Sequence, residues 1–110
     1  MKLPLIVVNF KLYEQATGEN ALELAKIHER VAVETGASIA VAVNPIDLAM
    51  VANSVKIPVF AQHMDAIKYG GHTGYILPDL LKEVGAYGTL LNHAEHPLEH
   101  ESLMKSLDRA

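Results

Sequence analysis

Cysteine is absent from the 110 residues, which excludes a disulfide scaffold and any thiolate metal site. Tryptophan is absent as well, and Phe and Tyr together make up only 5% of the chain, so a core has to be assembled from Val, Ile, Leu and Ala. No basic cluster occurs and the net charge is −4 at pH 7, which argues against a nucleic-acid partner. No apolar run approaches the ~20 residues of a membrane span. The run Leu5–Val8 after Met1-Lys2-Leu3-Pro4 is too short for a secretory signal. Disorder is excluded in turn, because half of the residues are hydrophobic and can offset the chain entropy of folding. The expectation is a single small α/β domain that is soluble and cytoplasmic, with no membrane and no nucleic acid among its partners.

What is present is a regular alternation. Four short apolar runs, Leu5–Val8, Ile39–Val43, Val59–Ala61 and Thr89–Leu91, lack a clean period of two. Strands buried on both faces of a parallel sheet read that way. Between them lie segments with helical spacing. Ala21, Leu24, Ala25, Val31 and Ala32 form a stripe that follows Thr17-Gly18, a plausible N-cap, and stops at Gly36. A second helix is predicted over Ile46–Val55. A third starts near Pro78, with Leu80, Leu81 and Val84 inward and Gly85 as its stop. A fourth starts near Pro97 and uses Leu98, Met104 and Leu107. Strand followed by helix, four times over, predicts repeated right-handed βαβ units, hence a doubly wound sheet or a (β/α) barrel.

Each apolar run also ends in polar side chains: Asn9-Phe10-Lys11, Asn44, Gln62-His63 and Asn92-His93-Ala94-Glu95. Parallel α/β sheets bind their ligands at the carboxyl ends of the strands, so these residues are expected on one rim. Amides also begin turns and cap helices, which is an equal reading for Asn44 alone. Lys11 and His93 are poor caps, and chemistry is the stronger reading for them. An ammonium and an imidazole N–H suit an anionic, enolate-like transition state.

The motifs Asn9-Phe10-Lys11, Phe60-Ala61-Gln62-His63, His72-Thr73-Gly74 and Leu91-Asn92-His93-Ala94-Glu95, in this order and separation, resemble triosephosphate isomerases, especially the compact archaeal ones. The resemblance runs from Leu5 onward. It implies the (β/α)₈ barrel, the interconversion of dihydroxyacetone phosphate and glyceraldehyde 3-phosphate, no cofactor, and no metal. It also implies that Asn9 and Lys11 bind substrate, with Lys11 facing the phosphodianion and the developing enediolate. His93 is implied as the catalytic hydrogen-bond donor and Glu95 as its supporting carboxylate. The family is itself a standard illustration of a catalytic imidazole that stays neutral. Gln62 is expected on the rim. Thr73 is expected on a long third loop, His63–Ile76, that reaches a partner subunit.

The chain departs from the family pattern at Ala94, where Ser is usual, and at His96-Pro97, where Arg or another polar residue is common. A full barrel takes ~250 residues, so residues 1–110 are expected to be the N-terminal half of one. The family's glutamate base after the sixth strand, its lid and its phosphate loops then fall outside them. The alternative is a truncated or engineered half-barrel that folds and assembles without catalysis, and a homo-oligomer is expected in either case. His96 and His100, four apart, could share a helix face and hold Zn²⁺, but the sequence has no H-E-x-x-H pattern, and a solvated helix face is the better reading. On that reading both are inert. His28 is expected at the border of the first helical stripe. His63 and His72 are expected to be ordinary polar loop residues, or interfacial ones. Gly70-Gly71-His72-Thr73-Gly74 has neither a P-loop Lys-Ser/Thr nor a strand before it, which makes it a turn.

Overall fold

The computed structural model describes residues 3–110, so the Met1-Lys2 start lies outside it. Four strands, β1 (Leu5–Asn9), β2 (Ser38–Val43), β3 (Val59–Ala61) and β4 (Gly88–Thr89), form one parallel sheet in sequential order. Leu5 pairs with Ser38, Val41 with Val59, and Phe60 with Gly88, so each strand continues the stagger of the last. The helices α1 (Glu19–Thr35), α2 (Leu48–Ala52), α3 (Pro78–Glu83) and α4 (His100–Arg109) follow their strands in turn. Sequential order, parallel pairing and a helix after every strand make this an α/β half-barrel.

β2 shows why the apolar runs do not alternate. Ile39 through Val43 are all buried, with Ala40, Val41, Ala42 and Val43 at 0% exposure, because neighbours cover both faces. Val41, Val43, Leu48, Val51, Val59 and Ala61 form the core with Phe10, Ala21 and Ala25. Ala21 and Ala25 let α1 lie close against the sheet, and both are fully buried. β1 differs: Ile6 and Val7 are exposed, since among the described residues only one strand flanks it.

α1 ends as expected, with Gly36 in the left-handed region (φ 73°) donating its N–H to Ala32. Its start is less conventional. Gly18 is the N-cap residue and offers no side chain, while Thr17 turns back to the Glu14 carbonyl. The buried Asp47 carboxylate instead accepts the Gly18 N–H at 2.8 Å, which ties the start of α1 to the start of α2.

Three expectations need correction. α2 covers only Leu48–Ala52, because Asn53 and Ser54 turn their side chains back onto the carbonyls of Ala49 and Met50. α3 (Pro78–Glu83) does stop before Gly85, which takes a positive φ (99°), but Leu80 faces out at 49% exposure while Leu81 and Val84 pack inward. α4 begins at His100 rather than near Pro97. Asn92 Oδ1 accepts the Leu98 N–H at 2.7 Å, and Glu99 is extended, so the segment before His100 is spent on a turn. Met104 and Leu107 are about half exposed, and α4 docks through Ser106 and Arg109. The Arg109 guanidinium donates to the Ile67 carbonyl and pairs with Asp79 on α3. None of the helices among the described residues is long and apolar enough to cross a membrane.

Candidate active site at the carboxyl ends of the strands

A cleft of about 620 Å³ opens where β1, β3 and β4 end, and it is lined by Asn9, Lys11, Gln62, His63, His93 and Glu95, among others. Tight polar turns position these residues, one directly after the last paired residue of β1 and one three residues beyond that of β4. At β1, Asn9 Oδ1 accepts the Lys11 N–H at 3.0 Å, and Lys11 takes a left-handed backbone (φ 53°) that a non-glycine residue seldom adopts. At the far side Asn92 also sits at positive φ (56°), where asparagine is tolerated, and turns the chain toward His93. Strained backbone of this kind persists where the surroundings over-determine it, and it clusters at functional sites.

Lys11 Nζ lies 3.4 Å from Glu95 Oε2, across a gap of 84 residues in the chain. The pair is partly solvated, at 35% and 60% side-chain exposure, so its contribution to stability is small. Its significance is placement: it holds the ammonium over the cleft. Gln62 supports the same turn from the end of β3, donating to the Lys11 carbonyl at 3.0 Å and more weakly to Asn9 Oδ1 at 3.4 Å.

The Glu95 N–H donates to His93 Nδ1 at 3.0 Å, while the Glu95 carboxylate is 3.6 Å from the same nitrogen. The two contacts assign opposite roles to Nδ1, and the shorter backbone bond decides. A ring nitrogen that accepts an N–H carries no proton of its own, so the imidazole proton sits on Nε2. The ring is therefore arranged as a donor through Nε2.

Of the residues singled out from sequence, Asn9, Lys11, Gln62, His93 and Glu95 come together here. Asn44 does not. Its Oδ1 accepts the N–H groups of Ile46 and Asp47 and its Nδ2 donates to Asp47, which makes it the buried turn residue of the capping reading. Thr73 is exposed on the third loop and does not line the cleft. His28 fulfils the border role, donating from Nδ1 to the Leu24 carbonyl with its ring beside Phe10. His96 and His100 do not share a helix face: His96 lies in the turn before α4, its N–H donating to the His93 carbonyl at 2.7 Å. Among the described residues no group of three His, Asp or Glu side chains is placed to hold a metal ion.

Two residues were missed. His63 is not an ordinary loop residue: its side chain is only 12% exposed, its Nε2 lies 2.9 Å from Asp65 Oδ1, and its ring stacks on His96 at 3.9 Å. Asp65 in turn accepts the Ile76 N–H through Oδ2 at 2.7 Å and donates its own N–H to the Ile76 carbonyl, closing the third loop at its base. Burial works against the Asp65 charge. The Ile76 N–H, the His63 hydrogen bond and the positive potential of His63 and His96 outweigh it and hold the carboxyl below its ordinary range. The available signal was His63-Met64-Asp65, an i,i+2 pair directly after a strand.

The triosephosphate isomerase family model matches residues 4–109. Curated triosephosphate isomerases align over most of the chain. That of Metallosphaera sedula is 48% identical over 99% of the chain and 48% of its own length. That of Pyrobaculum calidifontis is 49% identical over 98% and 47%, and that of Methanobacterium bryantii is 54% identical over 87% and 42%. The chain spans about half the length of the curated relatives it matches. A match of this extent, on a sheet whose strand ends gather the very motifs that carry the likeness, is not a coincidence of composition: the chain belongs to the triosephosphate isomerase family.

Proposed function

We propose that these residues form the electrophilic half of a triosephosphate isomerase site, which interconverts dihydroxyacetone phosphate and glyceraldehyde 3-phosphate. The observation that carries the reading is the convergence of Lys11 Nζ and His93 on one cleft, with His93 Nδ1 occupied and its Nε2–H free to donate. The reaction moves a proton between adjacent carbons, and negative charge builds on oxygen as the first carbon is deprotonated. An ammonium and a fixed N–H donor stabilise that charge more than they stabilise the neutral carbonyl, and only such differential interaction accelerates the step. Asn9 acts by fixing the Lys11 backbone. Glu95 positions both Lys11 and His93. The proton moves without any change of oxidation state at a cofactor, so the reading requires none.

Glu95 is the one carboxylate among the cleft residues, and it is engaged with Lys11. The general base is therefore assigned to a residue outside 1–110. A positioned base contributes ~10²–10⁴-fold, so a polypeptide of residues 1–110 alone is expected to turn over triose phosphates very slowly. Combined with the remaining half of the Metallosphaera sedula relative, it is expected to recover turnover. Near-enzymatic rates from residues 1–110 alone, after rigorous removal of host isomerase, would contradict this division of labour.

A second reading, a half-barrel whose role is assembly, draws on the exposed Ile6 and Val7 of β1 and on edges at β1 and β4. Self-association through those edges is proposed, with Thr73 on the third loop as a further subunit contact. Sedimentation across a wide concentration range tests it, and a compact monomer throughout would refute it.

A further inference from the structure

β3 ends at Ala61, and the next two residues reach in opposite directions. Gln62 bonds the Lys11 turn, while the His63 ring stacks on His96 with an interplanar angle of 19°. Both sides of the cleft thus rest on one strand end in the middle of the sheet. The His93 side needs such support. β4 is only Gly88–Thr89, so His93 and Glu95 stand well beyond the last paired residue, in a turn closed by the His96 N–H to the His93 carbonyl. His63 in turn cannot rotate freely, because Asp65 holds its Nε2 and is itself fixed on Ile76 through both its carboxylate and its backbone N–H.

We propose that the Asp65–His63–His96 chain of contacts is a positioning device, which sets the turn bearing His93 and Glu95 in register with Lys11. None of the three touches the reacting atoms in the mechanism above. His96 acts through the backbone it shares with Glu95 and through the carbonyl of His93. His96 is then not inert, and the helix face expected to join it to His100 is one it does not occupy.

The kinetic part of this inference rests on the isomerase reading, and the spectroscopic part does not. In residues 1–110, nitrogen–proton correlation of the His93 imidazole is expected to show the proton on Nε2. In His96→Ala the signal should broaden or shift toward a mixture of tautomers, and His96→Phe, which keeps a planar ring against His63, should restore it. In the assembly with the Metallosphaera sedula half, His96→Ala should lower kcat about tenfold with KM changed less than about twofold, because misplacing a transition-state donor costs rate more than ground-state binding. His96→Phe should recover most of the loss, and His100→Ala on α4 should change nothing. Because His96 is exposed, its loss leaves the core intact. An unchanged His93 signal and unchanged kcat in His96→Ala would overturn the proposal. A shifted signal in His96→Ala beside a wild-type assembly without turnover would keep the positioning role and overturn the isomerase reading.

Discussion

Lys11 illustrates how much of a site can rest on one strained residue. Its positive φ is held by Asn9 Oδ1 on the N–H side and by Gln62 on the carbonyl side, so the backbone is clamped before any substrate arrives. Asn9→Ala should therefore weaken catalysis by the assembled enzyme without removing any charge, and kcat/KM for triose phosphate against inhibition by inorganic phosphate would show it. Asp65 lends itself to a pH test. Its folded-state carboxyl lies below the ordinary range, so the stabilisation it gives is fully present above that range and is lost as pH falls through the lowered folded value. Protection of the Ile76 amide, referred to the intrinsic exchange rate at each pH, should accordingly fall on acidification below about pH 4, and Asp65→Asn should remove that dependence. An Ile76 amide equally protected in acid would mean that the third loop is held by other contacts. That Lys11, His93 and Glu95 share one rim was legible in the sequence, because charged and imidazole side chains directly after apolar runs have few structural uses. Asp65 and His63 were not legible: the local pair His63-Met64-Asp65 is a weak signal by itself, and its meaning lies in a backbone bond to Ile76 and a ring from another loop.

Among the elements, the first three strands and α1 were legible; β4 was expected over Thr89–Leu91 and pairs only at Gly88–Thr89, and the later helices were legible only partly. β2 and β3 declare themselves through short runs of Val, Ile and Ala, and α1 through a stripe closed by Gly36. In α4 the apolar spacing of Leu98, Met104 and Leu107 suggested an inward face that the fold does not use, because the docking contacts come from Ser106 and the Arg109 guanidinium. Local periodicity reports amphipathicity and says nothing of which partner covers it. Stability measurements separate the two cases. Leu48→Ala, at a side chain 1% exposed within the core, should cost about 2–5 kcal/mol. Leu107→Ala, at 53% exposure, should stay within about 0.5 kcal/mol. Urea titration of the two variants checks both, and similar losses would show that α4 buries its apolar side in solution.

For the whole molecule, a four-stranded sheet in sequential order leaves β1 and β4 with one neighbour each among the described residues, and Ile6 and Val7 of the first are exposed. A polypeptide of residues 1–110 should therefore melt at a temperature that rises with its own concentration, as linked association requires. The central claim, that these residues supply the cation and the hydrogen-bond donor of an isomerase whose base lies elsewhere, is tested most directly by steady-state kinetics of the assembly with the Metallosphaera sedula half. His93→Gln should lower kcat about 10²–10³-fold with little change in KM, since the imidazole donor is engaged mainly as charge develops. Lys11→Ala should take turnover below detection. Turnover in the assembly that is indifferent to both substitutions would contradict the account.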